Sequence, residues 1–218
     1  MTPDLPAGCV IALLGAHSTG KTELANALAA RLLRRGIVAT LVADVSHEWR
    51  VRERRSPDAV ELAAIAREQT RLIASAAEQG VVVADTTALA TAVHSDILFN
   101  DGALYANALT AHRGYAITLL MALDLPSIIE EEQRDRVDAS LRAAFTRSGT
   151  PYSVIHGRGP ERLASAWNAI NASAEAAGNA SGRGRIGGEQ RPWFWPCDKC
   201  SDPACEHRLF SDLVARRP

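Results

Sequence analysis

Two glycines, a lysine and a threonine stand at fixed spacing in the stretch "GAHSTGKTEL", from Gly15 to Leu24. The pattern is G-x-x-x-x-G-K-T, and those residue types suit one task, holding a polyphosphate. A loop that wraps a phosphate chain must turn its backbone N–H groups inward. Gly15 and Gly20 take dihedrals that a side chain would forbid. Ala16, His17, Ser18 and Thr19 fill the loop between them, and Glu23 follows in the first helical turn. Lys21 is placed to reach the β- and γ-phosphates of a nucleotide, and the Thr22 hydroxyl to coordinate Mg²⁺. The bare pattern arises by chance in roughly one chain in a hundred. An apolar run before it and an amphipathic helix after it make chance a poor account.

Other positions must say what the phosphate loop is used for. The run "VVVADTTAL" ends an apolar strand on Asp85, where an acid organises Mg²⁺ or takes a proton from an acceptor hydroxyl. The alternative is an aspartate that caps the next helix. In "ADVSHEW", Asp44 and Glu48 stand beyond a second strand, placed to orient an acceptor hydroxyl or receive its proton. Two solvated loop acids are the alternative, and His47 reads as surface. In "LDLPSIIEEEQRDRVDASLRAAF", Arg134, ahead of Arg136, is the candidate lid arginine that neutralises charge on the transferring phosphate. A charged solvent face with Glu–Arg pairs is the alternative. No N-K-x-D element follows the fourth strand, which argues against a Ras-type GTPase.

Three of the four cysteines crowd the C-terminus, in "RPWFWPCDKCSDPACEHRLF". Cys197, Cys200, Cys205 and His207 supply four ligands for a structural Zn²⁺, with the short C-x-H step making His207 the weakest of them. Reduced unpaired thiols, or a redox pair of Cys197 and Cys200, are the alternatives.

These residues need a frame, and the chain provides it. Five short apolar runs, Cys9–Leu14, Val38–Ala43, Val81–Asp85, Ala116–Ala122 and Ser153–His156, alternate with helical patterns. Such runs read as strands buried on both faces, and the alternation as a parallel five-stranded sheet with helices on both faces. Leu24, Leu28 and Leu32 share one helix face, and Gly36 closes that helix. Ser56-Pro57 reads as the cap and first-turn proline of a long helix that Gly80 ends. The domains read as 1–170, a flexible Gly-rich linker over 171–190, and a tail over 191–218. With 218 residues, 47% hydrophobic, and a net charge of -1, the composition suits a cytoplasmic enzyme. It offers no electrostatic case for nucleic acid, no segment approaches a membrane span, and no signal core opens the chain.

Taken in order, "GAHSTGKTEL", "DVSHEW", "AREQTRLI", "VVVADTTALATAVHSDILF", "LDLPSIIEEEQRDR" and "IHGRGPERLASAWNAI" resemble the P-loop ATPase/kinase domain of bacterial ribosylnicotinamide kinases, over residues 8 to 170. The resemblance implies a nucleoside-kinase-like P-loop fold, ATP with Mg²⁺, and phosphorylation of a small hydroxyl-bearing molecule. It also implies that Gln69 lies on the substrate side and that Gly157 to Pro160, with Arg158, borders the adenine. The chain departs from the family where an aromatic and an arginine are usual, at Ser127 and His47, and its cysteine tail is foreign to the pattern. Two functions follow. One is a kinase that moves the γ-phosphate of ATP to a nucleoside- or vitamin-like acceptor. The other is a nucleotide-switched ATPase that presents its tail to a protein partner.

Overall fold

The structure, a computed structural model, describes residues 2–127 and 130–182. They form a compact unit over Met1–Asn179, while the second unit, Ala180–Pro218, falls almost wholly outside the described residues. Cys197, Cys200, Cys205 and His207 are among those outside.

All five expected strands form, each within a residue or so of the boundaries read from the sequence. They are β1 (Val10–Leu14), β2 (Ala39–Val42), β3 (Val81–Asp85), β4 (Ile117–Met121) and β5 (Ser153–Ile155). The sheet is parallel throughout, in the order β2-β3-β1-β4-β5. Central β1, β3 and β4 are buried along their whole length. The edge strands β2 and β5 are not, because an edge has a neighbour on one side only. The expectation of burial on both faces therefore holds for three strands and fails for two.

The helices are α1 (Lys21–Arg34), α2 (Val45–Glu53), α3 (Ala59–Ala77), α4 (Ala88–Phe99), α5 (Tyr105–His112), α6 (Glu131–Ser148) and α7 (Pro160–Gly182). Alternation along β1 decides which of them cover which face. Ile11 and Leu13 meet Leu24, Leu28 and Leu32 of α1 and Ala166, Trp167 and Ile170 of α7. Ala12 and Leu14 meet Leu89 and Val93 of α4 and Leu141 and Phe145 of α6. Each of those large side chains gains about 1.5–3 kcal/mol by leaving water. At the end of α1, the Gly36 N–H bonds Leu33 O and the Ile37 N–H bonds Leu32 O, the pair of bonds that a left-handed closing glycine permits.

Two boundaries differ from expectation. The cap of α3 is Asp58, not Ser56: its side chain accepts from the Glu61 N–H while Glu61 accepts from the Asp58 N–H. This reciprocal box satisfies two orphan donors where a serine further out would satisfy none. The second concerns the linker, since α7 runs on through Asn171 to Gly182. Its alanine-rich text has high helix propensity even after the apolar stripe stops.

His112 is fully buried between Thr87, which caps α4, and Thr118 of β4, with its Nε2 3.0 Å from the Thr118 hydroxyl. Burial pulls its pKa down to about 4. The unfolded chain then binds the extra proton between about pH 6.5 and 4, so stability falls as pH drops through that window. Replacing His112 by Gln, which keeps the hydrogen bonds without titrating, should remove up to about 3 kcal/mol of that loss. Urea melts of both proteins from pH 7.5 to 4 measure it, and parallel profiles would contradict it.

Candidate functional site

The phosphate loop leaves β1 at Leu14 and enters α1 at Lys21, at the carboxyl end of the central strand, where the chain's crossovers diverge to opposite sides. Gly15 has φ 150°, and a Cβ there would come within 2.9 Å of the Met121 Cβ. Gly20 caps α1 at φ 76°, in the left-handed region. The Thr19 hydroxyl donates to Ala16 O at 2.8 Å and braces the loop from within. Lys21 Nζ donates to Gly15 O at 3.0 Å and to Ala16 O at 2.8 Å. Burial holds this ammonium below the usual lysine range, opposed by the charges of Asp44 and Asp85. The sequence places the lysine at the loop, and among the described residues its hydrogen bonds go to two neutral carbonyls.

Across from it, Thr22 Oγ1 donates to Asp85 Oδ2 at 2.6 Å. Asp85 is only 3% exposed, and its Oδ1 has no hydrogen-bond partner among the described residues. Burial lifts its carboxyl above the usual range, against the pull of Thr22 and Lys21. A hydroxyl, a carboxylate and an orphaned carboxylate oxygen beside a lysine suit a hydrated Mg²⁺, so these residues fit the ion expected of them. Asp85 does not cap α4, because Thr87 does that. Thr86 between them has φ 88°, a strained state for a β-branched residue.

On the acceptor side the expected residues separate. Asp44 caps α2 by accepting the His47 N–H at 3.0 Å, and its charge acts on Lys21, His17 and Asp85. Glu48 instead lines a cavity between α2 and α3 with Trp49 and Glu68, apart from the phosphate loop. Gln69 is buried, with Oε1 accepting from the Val45 N–H at 2.9 Å and Nε2 donating to Ala43 O at 3.1 Å. Expected beside the substrate, its carboxamide is spent pinning the β2–α2 turn that presents Asp44. Arg134 is 5% exposed and faces a cavity of about 160 Å³ beside the loop, while Arg136 points to solvent. The Arg134 Nε and Nη2 have no partner among the described residues.

Two histidines complete that cavity, His17 of the phosphate loop and His94, which the sequence did not single out. His17 of the loop stacks on His94 of α4, with ring centroids 4.8 Å apart and planes 17° from parallel. Burial and the Arg50 and Lys21 charges pull His17 down to about 4; burial, with His17 and the same cations, takes His94 to about 3. Both rings are therefore uncharged at neutral pH. A histidine inside the apolar text "ALATAVHSDILF" was a signal, since a buried polar group needs a reason.

On the opposite side of the loop, Arg158, Gly20, Leu24, Leu125 and Pro160 line a cavity of about 400 Å³. Its floor is tied by Arg162, whose guanidinium donates to Thr19 O at 2.8 Å and to Gly157 O at 2.7 Å and pairs with Asp124. Asp124 also accepts the Gly157 N–H at 2.7 Å. Sequence reading missed this pair. Its trace was an arginine in the first turn of a helix, where the dipole disfavours a cation unless a partner holds it.

A model of the AAA domain family AAA_28 matches residues 10–162, well over half of the chain. The chain belongs to the AAA domain family. No curated protein sequence matches it. Among solved structures, the AAA domain is similar to a NadR protein in complex with NR, with TM-score 0.57 and 21% identity over 76% of this chain and 50% of that one. A NadR protein in complex with NAD and AMP-PNP gives TM-score 0.53 and 19% identity over 85% and 52%. Thymidylate kinase from Ehrlichia chaffeensis gives 0.51 and 17% over 79% and 98%. The chain spans about half the length of the NadR proteins. The likeness establishes a P-loop kinase-like fold.

Removing Arg162 from this AAA domain strips the clamp from two loops and leaves Asp124 without its cation. Arg162→Ala should cost about 3 kcal/mol of stability. Urea unfolding at neutral pH checks it, and a loss below about 1 kcal/mol would show that water replaces the clamp.

Proposed function

We propose that this chain is a P-loop kinase that transfers the γ-phosphate of Mg·ATP to a hydroxyl of a small nucleoside- or vitamin-like acceptor in the cytoplasm. The observation that carries the reading is a division of space. One cavity beside the loop offers room for a base, and a second, separate cavity is lined by a buried guanidinium whose Nε and Nη2 have no partner among the described residues. A nucleotide switch has no use for the second. The fold shared with a thymidylate kinase and with NadR proteins supports the same reading.

In this scheme Gly157 and Arg158 border the base, and the backbone from Ala16 to Thr22 cradles the phosphates. Thr22 and Asp85 would hold Mg²⁺, which neutralises charge on the β- and γ-phosphates. Asp44 orients the acceptor hydroxyl and receives its proton. The acceptor oxygen forms the new bond to the γ-phosphorus, the bond from that phosphorus to the bridging oxygen breaks, and ADP leaves. Lys21 and Arg134 meet the charge that spreads over the equatorial oxygens.

Lys21→Ala should abolish turnover without loss of fold, because a desolvated ammonium is a cost to folding rather than a support. Asp85→Asn should slow transfer by about 10²-fold or more with little change in nucleotide affinity, as expected for lost electrostatic organisation. Asp44→Asn should act on acceptor use and spare ATP binding. An ATP-consumption screen against nucleosides, vitamins and sugars, with mass detection of the product, tests the whole reading. Turnover that answers to a protein partner and to no small acceptor would favour the switch.

For the tail we read a structural Zn²⁺ on Cys197, Cys200, Cys205 and His207, supported by their spacing. Metal analysis of chelator-free protein should give close to one zinc per chain, falling sharply in Cys200→Ser; a metal-free preparation would refute it.

A further inference from the structure

The acceptor cavity has a sign. Its lining among the described residues includes Arg50 from α2 and Arg134 from α6 and no carboxylate, with Asp44 the acid whose charge reaches it, through His17. Its two other titratable groups, His17 and His94, are the stacked pair that stays neutral. Arg134 is nine-tenths buried and, among the described residues, its Nε and Nη2 and the His94 Nε2 have no hydrogen-bond partner. Arg50 forms no side-chain ion pair among the described residues, although its neighbour Arg52 pairs with Glu53. Burying a guanidinium without a counter-charge costs several kcal/mol, so a fold keeps one only where an anion repays it.

The phosphates of ATP do not account for both arginines. They already have the loop N–H groups, the helix dipole and Lys21 on the β1–α1 side. Arg50 comes from the helix that follows β2, and Asp44, the residue that faces the acceptor hydroxyl in our scheme, caps that same helix. At about 160 Å³ the space is close to that of a cavity holding one benzene ring. A cationic acceptor such as nicotinamide riboside would set its pyridinium against two guanidinia, which is unfavourable.

We propose that the acceptor is a small hydroxyl-bearing anion, with its carboxylate or phosphate held by Arg50, across the cavity from the Arg134 that meets the γ-phosphate, while its hydroxyl meets that phosphate. This rests on the kinase reading above. Both anion sources share the chemistry that a planar guanidinium recognises, two oxygens accepting parallel N–H bonds.

The test uses the full chain and matched compounds: hydroxy acids against their amides, sugar and nucleoside monophosphates against their uncharged parents, and nicotinamide riboside as the cationic member. In ADP-release assays the charged member of the productive pair should have a kcat/KM at least about tenfold higher, consistent with one charge-assisted contact. Which series responds tells carboxylate from phosphate. Arg50→Ala should raise the acceptor KM about tenfold to a hundredfold with ATP KM unchanged, and Arg50→Lys should restore part of it. With the phosphate loop saturated by a non-hydrolysable ATP analogue, the productive anion should raise the melting temperature of the wild type and not of Arg50→Ala. Equal or better use of uncharged or cationic acceptors overturns the inference and leaves the kinase reading standing. An Arg50→Ala effect on ATP rather than acceptor overturns it too, as does the absence of any anion-dependent melting shift. ADP release indifferent to every acceptor overturns the kinase reading, and this inference with it.

Discussion

One register holds the site together. β1 and β3 pair in parallel with Leu13 opposite Asp85, so the residues that follow Leu13 and the acid that ends β3 emerge side by side. The 2.6 Å bond from Thr22 to Asp85 is the visible result. A slip of one residue along β3 would send Asp85 to the other face of the sheet and bring its neighbours' apolar side chains to the phosphate loop. The register is protected because both faces of these strands are packed, Ile11 and Leu13 on one side and Ala12 and Leu14 on the other. Core packing thus sets chemistry directly, without a dedicated scaffold around the site.

Around that fixed point the protein accepts local costs. Lys21 is charged among carbonyls, Arg134 is buried without an anion, Asp85 keeps an orphaned oxygen, and Thr86 sits at a positive φ. Each would be a defect in a protein built only for stability. They lie together around one loop, and the three that involve charge are of the kind that a bound ion of the right sign relieves. The stacked histidines fit the same economy, since two neutral rings fill the wall without adding to the crowd of cations.

The strands, the loop and Asp85 were legible because each is written locally: an apolar run, a spaced motif, an acid at a strand end. Arg162 and Asp124 were not, because they lie 38 residues apart and meet only after β4 and β5 pair. The hydrogen bonds of Gln69 were not legible, since nothing in "AREQTRLI" shows that the Ala43 and Val45 backbone would claim its amide. The cap of α3 was misread by two residues because Ser-Pro and Asp-x-x-Glu are both start signals, and only packing chooses between them. The sign of the acceptor cavity was hidden for a different reason. It depends on which arginines of a charge-rich text turn inward, and Arg134 and Arg136 differ in that alone.

The two cavities share the loop and almost nothing else. One is walled by α2, α3, α4 and α6, the other by α1 and the turn into α7. Substitutions in walls that do not touch combine nearly additively. A lineage that carries this fold is therefore free to drift along one wall while the other stays as it is. Novelty and inheritance occupy different sides of a single lysine.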